Sequence, residues 1–183
     1  MGNNKKRIFA VLLCLCIVVC GLYFGSKAIF PLRYEEAIKT CSTAYEVDPY
    51  LVMGIIRAES SFQADAVSSA NAMGLMQLTE ETAAQVAGWL DIADFEKEQL
   101  FDADCNIRFG TRYVQWLLEQ FDGDLKNTLA AYNAGIGTVK NWLADADCSS
   151  DGITLHTIPY QETADFVTRV TTYQQIYQLL YPS

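Results

Sequence analysis

Apolar residues recur every three or four positions through most of this 183-residue chain. Such spacing places them on one face of an α-helix, whereas a strand would alternate apolar and polar residues. The clearest stretches are Ile107, Gly110, Val114, Leu117, Leu118 and Phe121, and then Phe166, Val167, Val170, Tyr173, Ile176, Tyr177 and Leu180. The pattern therefore predicts a mainly α fold, a single domain of six or seven helices.

Capping residues locate several helix ends. Asp48-Pro49 predicts a helix start, with Asp as the N-cap and Pro in the first turn, where its missing N–H costs nothing. Gly135 predicts a helix end. Two segments without helical spacing, 60–72 and 147–161, are predicted to be ordered loops between helices.

The N-terminus differs from the rest of the chain. Lys5, Lys6 and Arg7 precede the uncharged segment Ile8–Phe24, whose 17 residues span about 25 Å as a helix. Residues 1–30 are therefore predicted to be a basic start and a membrane helix, and residues 31–183 the folded domain. The basic start favours the cytoplasm, so the domain faces outward.

This N-terminal helix has two main interpretations, and a third, lipidation at Cys20, is disfavoured because Val18-Val19 before it lacks a small residue. A retained anchor is favoured, because Ala28, Ile29 and Phe30 extend the apolar segment while Lys27 reaches the interface. The protein is then a single-pass membrane protein with its domain on the cell-wall side. Alternatively, the helix is a signal peptide cleaved after Ser26-Lys27-Ala28, and the domain is secreted.

The charge of the chain beyond its basic start excludes one class of partner. With the three N-terminal basic residues set aside, 10 of the 13 basic residues remain against all 22 acidic residues, a net charge of −12. Binding to nucleic acid needs a basic face, so nucleic acid is not predicted as a partner. A neutral or mixed-charge polymer remains allowed.

The cysteines do not indicate a metal site. Cys41, Cys105 and Cys148 lie outside the N-terminal helix, and their spacing resembles no metal-binding motif. An odd number allows at most one internal disulfide, and buried free thiols are the favoured interpretation. Neither a metal nor a cofactor is predicted.

Glu59 is the most unusual residue of the pattern. At 100° per residue from Leu51, Ile55 falls near 40°, Ile56 near 140° and Glu59 near 80°, so the carboxyl points from the middle of the apolar face. It also lies near the helix C-terminus, where the helix dipole disfavours negative charge. Both effects raise its pKa, as a general acid requires. A buried Glu paired with Arg57 is the structural alternative.

Motifs around Glu59 resemble one family. The segments 58–62, 66–68 and 72–78, followed by 106–113, 130–135 and 158–163, resemble the soluble lytic transglycosylases and their goose-type lysozyme relatives. These segments form four motifs in the family order, and the resemblance extends over about Tyr34–Tyr181, nearly the whole outer domain. The resemblance implies a lysozyme-like helical domain. The sequence departs from the family at Asn71, where Gly is usual, and at Thr79-Glu80-Glu81.

The resemblance also implies roles for single residues. Glu59 matches the single catalytic acid and base, and Ser68 matches a serine near that carboxyl. Gln77 matches a residue that contacts sugar, and Tyr132 one whose hydroxyl reaches the reaction centre. The remaining matches are Asn133 and Glu162, which hold the cleft together, and Met76 and Phe62, for which sugar contact and plain packing are both open.

The implied substrate is the glycan strand of peptidoglycan. The resemblance implies cleavage of the β-1,4 bond between N-acetylmuramic acid and N-acetylglucosamine, with formation of a 1,6-anhydro ring and with Glu59 acting first as acid and then as base. One alternative is a hydrolytic muramidase on the same fold. Another is a wall-binding scaffold module without activity, within an envelope, secretion or conjugation apparatus.

Overall fold

The computed structural model describes residues 2–182. Met1 and Ser183, the outer ends of the predicted ranges 1–30 and 31–183, lie outside the described part. The first element is α1, Gly2–Ile29. Its segment Leu12–Ile29 has a mean hydropathy of 2.1 and none of it is buried. By length and composition this helix is able to cross a membrane, and a signal sequence shares these properties.

Seven further α-helices form the domain, which confirms the predicted mainly α fold of six or seven helices. They are α2 (Glu35–Tyr45), α3 (Pro49–Glu59), α4 (Glu80–Trp89), α5 (Ala103–Gln120), α6 (Leu125–Ala134), α7 (Ile136–Leu143) and α8 (Gln161–Leu180). A 3₁₀ turn, Lys97–Phe101, precedes α5. Within residues 2–182, β-structure is limited to the isolated bridges Val67–Met73 and Met73–Leu78.

The predicted helix ends are present. Asp48 caps α3 by accepting a hydrogen bond from the Tyr50 backbone N–H at 2.9 Å, and Pro49 is the first helical residue. Gly135 ends α6 with a φ of 86°. Asn71, which stands where the family has Gly, adopts a φ of 59°, a conformation that Asn tolerates better than most residues.

Helix α3 is the centre of the domain. Its residues Leu51, Val52, Met53, Gly54, Ile55 and Ile56 are all buried. The helix packs closely on α8, where a Cβ at Gly54 would lie 3.0 Å from the Val170 backbone oxygen. Glycine therefore favours the close packing of α3 on α8, and Glu59 is the last residue of α3.

The end of α1 is packed against α8. The Tyr181 hydroxyl donates a hydrogen bond to the Phe30 backbone oxygen at 2.8 Å. The Phe30 ring makes edge contacts with Tyr173 and Tyr177, with centroids 5.5 and 5.6 Å apart. Only residues 30–34 separate α1 from α2. The domain therefore follows the N-terminal helix without a flexible linker.

Candidate active site

Glu59 ends α3 as a half-buried carboxyl group. Burial raises its pKa from 4.5 to about 7, since loss of water disfavours the charged form. The positive charge of Arg169 opposes this shift and the negative charge of Glu162 adds to it. Near neutral pH the protonated and ionised forms are therefore both populated.

The structural alternative of an ion pair with Arg57 is not present. The Arg57 guanidinium lies over the Phe30 ring, 5.6 Å from its centroid. Neither of the ion pairs found in residues 2–182, Lys39–Glu35 and Lys97–Glu80, includes Glu59. The carboxyl thus has no ionic partner in the described part of the chain, which agrees with its raised pKa.

A sharp turn brings residues 74–77 toward the end of α3. Gly74 has a φ of 77°, and its backbone N–H donates to the Ala66 oxygen at 2.9 Å. Gln77 also has a positive φ, 49°, and its Nε2 donates to the backbone oxygens of Ala66 at 3.0 Å and Gly74 at 2.8 Å. The side chain of Gln77 thereby braces the turn on which it lies.

Ser60 and Ser68 connect this loop in different ways. The buried Ser60 hydroxyl donates to the Leu75 backbone oxygen at 2.8 Å, which joins the residue after Glu59 to the turn. Ser68 is half-buried, and its Oγ accepts hydrogen bonds from the backbone N–H groups of Ala70 at 3.2 Å and Ala72 at 3.0 Å. Its hydroxyl proton remains available to a further acceptor.

Tyr132 comes from α6 to the same turn. Its hydroxyl donates to the Met76 backbone oxygen at 2.6 Å, and its ring contacts Tyr113 and Phe166. Burial, followed by the charge of Glu59 and then by Tyr113, raises the pKa of Tyr132 well above its usual value. The phenol therefore stays protonated and lies within the electrostatic range of Glu59.

The remaining predicted residues take different positions. Met76 and Phe62 are buried, with 0% and 2% of their surfaces exposed. Their burial favours plain packing over contact with sugar. Asn133 joins α6 to α8, because its Oδ1 accepts a hydrogen bond from the Thr163 hydroxyl at 2.7 Å. Glu162 is exposed in the first turn of α8.

Asn106 supports the site and was not assigned a role from the sequence. It is completely buried in the first turns of α5, where its Nδ2 donates to the backbone oxygens of Met73 at 3.0 Å and Leu100 at 2.9 Å. Its Oδ1 accepts from the Met76 N–H at 2.8 Å. The sequence feature that could have identified Asn106 is its position, as a polar residue, beside the apolar face of α5.

Little in the described residues suits a metal ion. No group of three or more His, Cys, Asp or Glu side chains among residues 2–182 is arranged to hold one. All six cysteines are free, and Cys148 is buried.

The helices and the single half-buried carboxyl at the end of the central helix define a lysozyme-like helical domain. The chain belongs to the transglycosylase SLT domain family, whose model matches residues 36–152. This confirms the family resemblance of the motifs.

Three relatives illustrate the similarity. The soluble lytic murein transglycosylase of Escherichia coli K12 is 33% identical over 151 residues, which cover 81% of this chain and 23% of the relative. The membrane-bound lytic murein transglycosylase C of Edwardsiella ictaluri is 34% identical over 119 residues, 58% of this chain and 32% of the relative. The solved structure of the 70 kDa soluble lytic transglycosylase of Escherichia coli superposes with a TM-score of 0.76 at 30% identity, over 89% of this chain and 27% of that one. This chain spans about a quarter to a third of their lengths.

Proposed function

We propose that this protein is a lytic transglycosylase that cleaves the glycan strands of peptidoglycan. The observation that carries the proposal is Glu59, a half-buried carboxyl with a pKa raised to about 7, at the end of the central helix of an SLT domain. A general acid is most effective when its pKa lies near the working pH. Related chains with this domain are named lytic murein transglycosylases.

In the proposed mechanism one carboxyl group transfers the proton twice. Protonated Glu59 donates to the glycosidic oxygen as the bond from that oxygen to C1 of N-acetylmuramic acid breaks. The sugar's own acetamido group stabilises the positive charge at C1. Ionised Glu59 then takes the proton from the C6 hydroxyl while O6 bonds to C1, which closes the 1,6-anhydro ring. The proton returns to Glu59, and no water is consumed.

The neighbouring groups have supporting roles in this proposal. Gln77 and Ser68 bind the sugar beside Glu59, and hydrogen bonds to the backbone hold both side chains on the loop that contains Gly74. Tyr132 remains a neutral phenol and holds the Met76 backbone. Asn133 joins α6 to α8. This contact sets the distance between Tyr132 on α6 and Glu162 in the first turn of α8.

A hydrolytic muramidase is the second candidate, because one observation favours it. Glu162 is an exposed carboxylate close enough for its charge to raise the pKa of Glu59. A second carboxylate across the bond is what a two-carboxylate glycosidase uses to activate water or to form a covalent intermediate. The two candidates share Glu59 as the acid and differ in the group that attacks C1.

The mass of the products distinguishes the two reactions. We expect purified peptidoglycan digested by the full chain in detergent, and by a shortened chain that begins at Phe30, to release 1,6-anhydro products. Phe30 is kept because it packs on α8. Hydrolysis instead adds one water, about 18 Da, to each product. Reducing ends without the anhydro form would reject the transglycosylase, and no soluble product at all would indicate the wall-binding module.

We also propose a location for the activity. The exposed apolar segment Leu12–Ile29 crosses the cell membrane once, and the domain lies on the cell-wall side, where its substrate is. In this proposal α1 is retained as the anchor, and its Lys27 Nζ lies 4.6 Å from the Tyr181 ring centroid of the domain. Among the relatives, one is named as membrane-bound and another as soluble.

A further inference from the structure

A cavity lies between the end of α1 and the domain, at the opposite end of α3 from Glu59. Its volume is about 670 Å³, and α2, the start of α3 and the end of α8 complete its wall. Pro49, Tyr50 and Met53 line it from the first turns of α3. Glu59 is six to ten residues further along the same helix, about 9 to 15 Å away, and none of the residues assigned to its site lines the cavity. The cavity is therefore a separate site.

Helix α1 supplies one wall of this cavity. Lys27 and Tyr23 line it, and the Lys27 Nζ lies 4.6 Å from the Tyr181 ring centroid and 4.8 Å from that of Tyr23. Opposite, the Tyr50 hydroxyl donates a hydrogen bond to the Tyr181 backbone oxygen. An amine held between two aromatic rings is typical of the level at which a membrane helix leaves the bilayer.

The exposed apolar residues around the cavity also indicate that it lies at the surface of the bilayer. Leu22, Phe24 and Ile29 of α1 are 69%, 68% and 57% exposed, and Leu179 beside the cavity is 80% exposed. If α1 spans the membrane as proposed above, these side chains face lipid. The cavity then opens where the headgroups are.

The charges that line the cavity are balanced. Lys27 and Lys39 are cations, and Glu35 and Asp48 are carboxylates. Lys39 pairs with Glu35 at 2.6 Å. Asp48 accepts hydrogen bonds from Gln174 at 2.6 Å and from Gln178 at 3.0 Å. The site thus offers a cation to a phosphate and carboxylate oxygens to an amine.

We propose that this cavity binds the headgroup of a zwitterionic membrane lipid that carries a phosphate and a primary amine, a phosphatidylethanolamine. The phosphate lies at Lys27 and the ammonium at Glu35 and Asp48. An anionic headgroup gains only the first contact, and it is repelled by the chain beyond the basic start, whose net charge is −12. This inference rests on the membrane location proposed above and assigns a lipid to it.

Competition among lipids in native mass spectrometry tests the inference. The full chain, isolated from cell membranes in mild detergent, is mixed with equal amounts of phosphatidylethanolamine, phosphatidylglycerol and phosphatidylcholine with the same acyl chains. We expect it to retain the ethanolamine lipid about fivefold more than either other lipid, which corresponds to about 1 kcal/mol. The trimethylated amine of phosphatidylcholine cannot donate a hydrogen bond.

Matched variants locate the binding site. Lys27→Gln and Glu35→Gln are expected to abolish the preference. Arg33→Gln and Glu36→Gln are controls, because both residues are exposed neighbours that do not line the cavity, and they should retain it. Wall lysis is measured on the same samples. Lost lipid preference with intact lysis in the cavity variants supports a site separate from Glu59.

Four results would overturn the inference. These are equal retention of the three lipids, a preference for phosphatidylglycerol, loss of preference in the two controls, and isolation of a chain cleaved after Ala28, which removes Lys27 and Tyr23. Absence of lysis in the wild type with the lipid preference intact would reject the proposed activity alone.

Discussion

Replacing Glu59 by Gln is expected to lower the rate of glycan cleavage by about 10³-fold or more. Gln keeps the size of the side chain but can neither give a proton to the glycosidic oxygen nor take one from the C6 hydroxyl. Both steps use this residue in the proposed mechanism, so no second group compensates. The measurement is the initial rate of release of soluble products from purified peptidoglycan.

The stability of Glu59→Gln shows whether a lower rate is caused by lost proton transfer or by unfolding of the domain. The folded-state pKa of Glu59, about 7, lies above its ordinary value of 4.5. The folded protein therefore loses stability as the pH rises from 4.5 through 7, by about 1 to 3 kcal/mol, and the Gln variant lacks this loss. At pH 8 we expect Glu59→Gln to be at least as stable as the wild type.

Glu119→Gln is the matched control for charge. Glu119 is exposed on α5, so the same substitution there should leave lysis unchanged. If Glu59→Gln retained more than about a tenth of the wild-type rate, the assignment of the proton transfer to Glu59 would be wrong.

The substitution Gly74→Ala is expected to destabilise the domain by about 4 kcal/mol. A Cβ at this position would lie 2.2 Å from the Leu100 backbone oxygen and 2.2 Å from the Asn106 Nδ2. Gly74 also has a φ of 77°, which alanine adopts only with strain. The turn has to shift, and the hydrogen bonds of Asn106 that hold residues 73–76 weaken with it.

Gly137→Ala is the control for this substitution. Gly137 is exposed in α7, and a Cβ there would meet nothing within 4 Å. The variant should be as stable as the wild type or more so, by up to about 1 kcal/mol. Denaturant unfolding of both variants gives the free energies. A Gly74→Ala variant with unchanged stability would contradict the close packing of the turn on α5.

The sequence predicted those features that depend on neighbouring residues. The cap at Asp48 and Pro49, the helix end at Gly135 and the position of Glu59 on the apolar face all follow from spacing of a few residues. Each is present in the structure. The roles of Ser68, Gln77 and Glu162 toward substrate came from the family motifs, and they stay predictions.

Features that depend on distant residues were not predicted. The Asn106 side chain bonds to Met73 and Met76, 33 and 30 positions away, and nothing local marks those partners. Ser60 bonds to a backbone oxygen 15 positions away. Arg57 was the candidate partner of Glu59, yet it stacks on Phe30 because the chain entering from α1 brings that ring to the end of α3. Only the tertiary fold establishes such contacts.

Titration of the Glu59 carboxyl group tests directly whether this residue can supply the proton. Glutamate labelled with ¹³C at the side-chain carboxyl is followed by NMR from pH 3 to 9 in the full chain in micelles, and the signal missing in Glu59→Gln identifies the residue. We predict a pKa of about 7 for Glu59, set by burial and by the charge of Glu162. A pKa at or below the ordinary 4.5 would rule out Glu59 as the acid, because the group would then be ionised at neutral pH.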